Sequence, residues 1–199
     1  MGETKTLLQM AGADLRPPPL RDVAVLVIDA QREYLDGQLP LAGVAPALDA
    51  IAMLLKRARA VGAPIVHVAH LGRAGGLFDP NGLGGQIAGP ARPEPAETVV
   101  TKGLPNAFAG TELQTVLKGT GKTTLLLAGF MTHMCVSSTA RAALDLGLKA
   151  VVLSDATATR ALPDPTGSAV IDAEIVHRAA LAELADRFAI VTSLGQVPD

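Results

Sequence analysis

Six short apolar runs alternate with stretches of helical period, and this alternation constrains the fold more than any other feature. The runs are Val23–Asp29, Ile65–Ala69, Thr98–Lys102, Thr124–Phe130, Ala150–Ser154 and Phe188–Thr192. Several are apolar at every position, as strands are when both of their faces are covered. Helices are predicted over Pro46–Val61, Thr111–Lys118 with Thr111 as N-cap, Cys135–Leu146 stopped by Gly147, and Ser168–Arg187. In the first of these, Leu48, Ile51, Leu54, Leu55 and Ala58 share one face. Strand–helix alternation of this kind predicts a doubly wound α/β fold, Rossmann-like, with about six parallel strands and helices on both faces. No internal repeat or linker divides residues 1–199, so a single domain is expected.

Composition narrows the function classes. Of 199 residues, 49% are hydrophobic and 18% charged, a balance that suits a buried core and not a disordered chain. Seventeen Lys and Arg against 19 Asp and Glu leave no basic excess for a nucleic-acid backbone or an anionic membrane. No apolar run approaches the roughly 18 residues that span a bilayer. Met1–Met10 carries an acid and no long apolar stretch, so it is not read as a secretory signal. A lone cysteine, Cys135, forms no disulfide within the chain, which fits a reducing cytoplasm. The five aromatics are Tyr34, Phe78, Phe108, Phe130 and Phe188, too few for a base-stacking platform.

One stretch fits neither period. His70–Glu97 has 28 residues, seven of them Gly and four Pro. Connections this long in a compact domain are lids, binding loops or oligomer contacts, and Leu71, Leu77, Phe78, Leu83 and Ile87 predict that this one packs.

Two apparent cofactor motifs fail. Gly121-Lys122-Thr123 lacks the earlier glycine of a phosphate-binding loop, because residue 116 is Val, and it precedes a strand instead of following one. Gly82-Leu83-Gly84 lacks the third glycine of a dinucleotide fingerprint and opens no helix. His67 and His70 are an odd number of residues apart on a strand, which sends them to opposite faces, so neither is expected to share a metal with the other. No cofactor and no metal are expected.

Ligands of an open parallel sheet bind beyond the carboxyl ends of its strands. Asp29, His70 and Lys102 end the first three strands, Met131–Cys135 follows the fourth and Asp155 the fifth. A carboxylate, an amine and the only thiol thereby share one edge. Cys135 is predicted at the first turn of a helix, where the dipole favours an anion, and a nearby Lys102 is expected to lower the thiol pKa further. Asp29 can accept the thiol proton, and backbone N–H groups around Met131–Cys135 can bind an oxyanion. The alternatives are an inert core cysteine, a capping aspartate and a solvated lysine.

The motifs Val25-Leu26-Val27-Ile28-Asp29-Ala30-Gln31, Lys102 with Asn106-Ala107-Phe108, Gly129 to Val136 with Ser138-Thr139-Ala140-Arg141, and Asp155 to Arg160 stand in the order of a known family. The chain resembles the isochorismatase-like cysteine hydrolases, which include nicotinamidases, N-carbamoylsarcosine amidases, ureidoacrylate amidases and isochorismatases. The resemblance covers about residues 20–195. It implies an Asp29–Lys102–Cys135 triad, a cis peptide between Phe130 and Met131, and an oxyanion hole from the N–H groups of Met131 and Cys135. It also implies a homo-oligomer, a dimer or larger.

The metal-binding Asp-x-His of the nicotinamidases is replaced here by His70-Leu71-Gly72, which counts against nicotinamide. Family members specialised for isochorismate can lack the cysteine, so Cys135 favours cleavage of a C–N bond in a small amide or ureido substrate through a thioester. Tyr34, His70, Phe108, Phe130 and Thr132 are expected to shape the pocket. Two alternatives stay open: vinyl-ether hydrolysis with Asp29 as acid, and a catalytically silent binding protein.

Overall fold

The computed structural model describes residues 3–199; Met1 and Gly2, which open the stretch read as no secretory signal, lie outside them. The strands are β1 (Ala24–Ile28), β2 (Ile65–His70), β3 (Thr98–Lys102), β4 (Thr124–Phe130), β5 (Lys149–Ala158), β6 (Leu162–Pro163), β7 (Val170–Ile171) and β8 (Ile190–Thr192). The helices are α1 (Leu7–Met10), α2 (Val44–Ala60), α3 (Leu113–Thr120), α4 (Ser137–Asp145) and α5 (Ala173–Arg187). Six strands form one parallel sheet in the order β3-β2-β1-β4-β5-β8. The chain winds outward from β1 to β3, then returns to place β4 on the other side of β1. The switch point between β1 and β4 is where a ligand crevice forms in such sheets.

Burial explains the apolar runs. All five residues of β1 are buried. Val25 and Val27 join a core shared with Leu48, Ile51, Leu54, Leu55 and Ala58 of α2. Ala24, Leu26 and Ile28 join the core on the opposite face, with Leu113 and Leu117 of α3, Ala140 and Ala143 of α4, and Leu184 of α5. Alternation by two along the strand therefore feeds two layers, so neither face tolerates a polar residue.

Several boundaries differ from the sequence expectation. The last long helix begins at Ala173, not Ser168, because Leu162–Pro163 and Val170–Ile171 pair as a small antiparallel hairpin around the turn at Asp164–Gly167. Two-residue strands have no period to detect. Glu112, not Thr111, is the N-cap of α3; the Thr111 hydroxyl accepts from Leu113 N at 3.2 Å and donates to Ala107 O. The residues Thr132–Val136 form a π-helical turn ahead of α4, so Cys135 precedes the regular helix by two positions. Strand β5 runs through Ser154 and Asp155 to Ala158, with its register shifted against β4 between Leu127 and Gly129. Asp155 thus lies inside the strand and not after it, and its carboxylate accepts from Leu194 N at 3.0 Å, just past the carboxyl end of β8.

The long connection after β2 packs only in part. Phe78, Ala88 and Ala91 are buried and Ile87 packs against the core, whereas Leu71, Leu77 and Leu83 are exposed, against expectation. Backbone and one carboxylate hold it instead of leucines. Arg32 N donates to Gln86 O, Glu33 N to Gly84 O, and Ala88 N to Ala30 O. The buried carboxylate of Glu33 accepts from Phe78 N at 3.1 Å and from Gln38 N at 2.6 Å. At Gly84 a Cβ would collide with Glu33 Oε2, so a larger residue there would push this carboxylate off its bonds to Phe78 N and Gln38 N.

The far end of the loop is latched by Glu97. It receives Arg59 through Nε at 2.8 Å and Nη2 at 2.9 Å, and faces His67 Nε2 at 2.9 Å. His67 is 1% exposed, so losing Glu97 strands a buried ring nitrogen and frees a guanidinium. Glu97→Ala is expected to cost about 1–3 kcal/mol and lower Tm by roughly 2–12 °C in thermal unfolding. An unchanged Tm contradicts the latch. Burial raises the Glu97 carboxyl, but Arg59, Glu94 N–H and His67 outweigh it and hold it at about 2. The latch is therefore intact above the ordinary carboxylate range and released as pH falls toward 2.

Candidate active site

Asp29 follows the last residue of β1 and sits at the switch point with φ of 49°, an uncommon backbone conformation for a non-glycine residue. Lys102 ends β3 and pairs in register with His70 of β2. Cys135 lies in the π-helical turn after β4. These three side chains come from separate elements and meet. Lys102 Nζ lies 2.7 Å from Asp29 Oδ2 and 3.4 Å from Cys135 Sγ. Both members of the ion pair have fully buried side chains. The Lys102 ammonium and the Cys135 thiol are the groups that face the Asp29 carboxylate, and no other protein N–H or O–H reaches its oxygens, so it can take the thiol proton.

The electrostatics reverse one expectation. Burial, and after it the adjacent Asp29 carboxylate, push the Cys135 thiol up to about 12, and Lys102 only partly offsets them. The predicted lowering fails because the thiol is buried, and because a thiolate here is a second anion beside a buried carboxylate. Burial also raises Asp29 above the ordinary carboxylate value, with Lys102 opposing. Both groups thus resist ionisation together, and moving a proton from sulfur to carboxylate keeps the net charge of the group constant. Such an arrangement can create a thiolate at the moment of attack while keeping a neutral thiol at rest.

The turn around the thiol is built by β4. Gly129, at φ of 112°, pairs with Ile28 of β1, and the peptide bond between Phe130 and Met131 is cis. Met131 O accepts from Met134 N at 3.0 Å and Val136 N at 3.2 Å, which closes the turn. Thr132 is buried, its hydroxyl 2.9 Å from His177 Nδ1. Tyr34 is buried beside Phe130 and Phe78 with edge-to-face rings 5.8 and 5.0 Å apart. Burial, followed by the charges of Asp29 and Cys135, raises its hydroxyl pKa. Phe108 is half-buried on the opposite core. His70 is half-buried, with Nδ1 3.2 Å from Lys102 Nζ and its ring 5.1 Å from Phe78. A cleft of about 240 Å³ beside the turn is lined by Thr157, Thr159, Glu174 and His177, residues outside the predicted pocket set. Among the described residues no three His, Cys, Asp or Glu side chains converge as metal ligands would, and no helix is long and apolar enough to cross a membrane.

Residues 23–196 match the family model described as the isochorismatase domain. The chain belongs to the isochorismatase family. Within that family, it is 37% identical to a secreted isochorismatase effector of Verticillium dahliae, over 92% of this chain and 94% of the relative. A streptothricin hydrolase of Streptomyces noursei is 38% identical over 88% of this chain and 64% of its own length. A ureidoacrylate amidohydrolase of Pseudomonas savastanoi pv. phaseolicola is 30% identical over 71% of this chain and 74% of its own. An isochorismatase of Pseudomonas putida KT2440 superposes with a TM-score of 0.93 at 41% identity, covering 98% of this chain and all of that one. These relatives make the chain an isochorismatase-family hydrolase with this family's six-stranded fold.

Three residues at the site have roles that sequence patterning does not assign, although Gln31 and Arg160 close two of the motifs that carry the family resemblance. Gln31, 1% exposed, and the buried Glu33 brace the loop from just behind Asp29; a glutamine and a glutamate after a strand read as surface, and the signals are the place of Gln31 in the Val25–Gln31 motif and the nearness of both to Asp29. Arg160 closes the Asp155–Arg160 motif. Its Nε is buried without a hydrogen-bond partner, and its charge reaches His133, where burial and then Arg160 lower the imidazole pKa.

Proposed function

We propose that this protein is a cysteine hydrolase that cleaves a C–N bond of a small amide or ureido substrate through a thioester. The observation that carries the reading is the bridge of Lys102 Nζ between Asp29 Oδ2 and Cys135 Sγ. The Sγ–H proton passes to Asp29 as the Sγ–C bond forms, and Lys102 supports the new sulfur charge. The N–H groups of Met131 and Cys135 bind the carbonyl oxygen as it becomes negative. Asp29 then returns the proton to nitrogen as the C–N bond breaks. Water next attacks the thioester while Asp29 takes its proton; the C–S bond breaks and the proton goes back to sulfur. Every step uses groups of this chain, and no cofactor or metal is invoked.

Tyr34, His70, Phe108, Phe130 and Thr132 are the proposed pocket wall; the contact of His70 with Lys102 and the ring of Tyr34 beside Phe130 and Phe78 support it. The reading extends to a single domain, in a homo-oligomer, acting on a small molecule. One cysteine fits a reducing cytoplasm; the relative in Verticillium dahliae is by name a secreted one. The alternative bond is a vinyl ether, whose hydrolysis needs Asp29 as acid and leaves Cys135 idle.

The test is a panel of small amides and ureido compounds, with ureidoacrylate and streptothricin included, followed across pH. Since Asp29 acts as base and burial raises its pKa, kcat/KM is expected to fall with acidification through a point above the ordinary carboxylate value of about 4. Asp29→Asn is expected to lower kcat/KM by about 10³-fold or more and to remove that limb. A profile flat down to pH 4, or an active Asp29→Asn variant, contradicts the role.

A further inference from the structure

The geometry points to His70 as a positioning residue: its Nδ1 accepts the third N–H of the Lys102 ammonium and so aims the other two at Asp29 and Cys135. An ammonium has three N–H bonds and no lone pair. Three acceptors surround Nζ, namely Asp29 Oδ2 at 2.7 Å, His70 Nδ1 at 3.2 Å and Cys135 Sγ at 3.4 Å. The donors are thereby all committed. Without Nδ1, one N–H has no acceptor, and the ammonium is free to swing toward the carboxylate that attracts it most. The thiolate formed in the reaction then loses its nearest positive charge.

Two observations show that the ring is held for this purpose. The Gln31 side-chain amide grips the His70 peptide at both ends: His70 N donates to Gln31 Oε1 at 2.8 Å, and Gln31 Nε2 donates to His70 O at 3.0 Å. Gln31 Nε2 also donates to Gly85 O at 2.8 Å, which ties the clamp to the long loop. The ring then packs edge-to-face on Phe78, at 5.1 Å and 64°. A backbone clamp and an aromatic wall leave the imidazole one useful orientation, with its lone pair on Lys102.

The same contact fixes the tautomer. A nitrogen that faces an ammonium must offer a lone pair, so Nδ1 carries no proton and the neutral ring carries its proton on Nε2. Burial, then the charge of Lys102, lowers the His70 pKa and keeps the ring neutral. His70 therefore cannot take a proton through Nδ1 without breaking the site, which leaves Asp29 as the base of both half-reactions.

For its effect on turnover this assignment rests on the hydrolase reading; for the geometry it does not. The experiment has two arms. Long-range ¹H–¹⁵N spectra of the ¹⁵N-labelled full chain at neutral pH read the four histidines, and His70→Asn identifies the His70 signals by their loss. The expected pattern is the Nε2–H tautomer; an Nδ1–H ring or an imidazolium overturns the assignment, with no substrate needed. In the second arm, His70→Asn puts an acceptor oxygen near the Nδ1 position, and His70→Leu removes it. On the best substrate of the amide panel, His70→Asn is expected to keep kcat within about threefold of the wild type. His70→Leu is expected to lower kcat at least about tenfold, with KM changed much less. Equal losses in both variants, or wild-type kcat in His70→Leu, overturn the positioning role. A wild type that turns over with Cys135→Ala equally active defeats the thioester reading alone, because the tautomer result stands apart from it.

Discussion

Gly129→Ala is expected to destroy the fold, with a cost above about 4 kcal/mol and a fall in Tm of more than roughly 10 °C, or no folded protein at all. Gly129 holds φ at 112°, a conformation that side chains rarely adopt. A Cβ there would overlap Ile28 O and stand 2.7 Å from Ile28 N. Both are backbone atoms of β1, the central strand beside β4, so nothing can swing aside as a side chain would. Relief requires β1 and β4 to separate, which opens both cores and moves Asp29 away from the Cys135 turn. Few domains have the reserve for that, since total stability is about 5–15 kcal/mol. Gly119→Ala is the control: it lies in α3 with open space around it, and is expected to be neutral or slightly stabilising. Thermal unfolding of the two variants beside the wild type decides. A Gly129→Ala protein that melts within a few degrees of the wild type contradicts this account of the switch point.

The sheet and its cover are legible in the chain because periodicity is a local property. The face of α2 carried by Leu48, Ile51, Leu54, Leu55 and Ala58 emerges directly from a 3.6-residue repeat, and each of those residues is buried. The same holds for β1, whose unbroken apolar run reports cover on both sides. The strand ends also place Asp29, Lys102 and Cys135 on one edge before any coordinates are known, because parallel topology puts carboxyl ends together.

The rest is set by contacts between distant segments. The Cys135 thiol is governed by how near the Asp29 carboxylate comes and by how dry the turn is, and neither distance is written in local spacing. The long loop is held by Glu33 and backbone bonds to residues 84–88, so its exposed Leu71, Leu77 and Leu83 mislead a reading based on apolar content. Strand β5 is interrupted by a polar Ser154-Asp155 pair where its register slips, so its second half escapes detection. The two-residue strands of the 162–171 hairpin are shorter than any period.

Replacement of the thiol is the other change with a very large effect. Cys135→Ala is expected to lower kcat on any productive amide by about 10³-fold or more, since loss of a covalent nucleophile removes the route and not merely one contact. The fold is expected to survive. Cys135 is a small, 5% exposed side chain, and its Sγ is the second-nearest of the anionic or sulfur partners to Lys102, which keeps Asp29 at 2.7 Å. Only one sulfhydryl exists in the chain, so no other cysteine can substitute. The account's centre is the thioester, and it is tested most directly by intact-mass spectrometry of the enzyme quenched in acid during turnover of a small amide. The account predicts a covalent adduct equal to the acyl part of the substrate, mapped to the peptide that holds Cys135 and missing in Cys135→Ala. Turnover that proceeds at the wild-type rate in Cys135→Ala, with no adduct on the native enzyme, contradicts it.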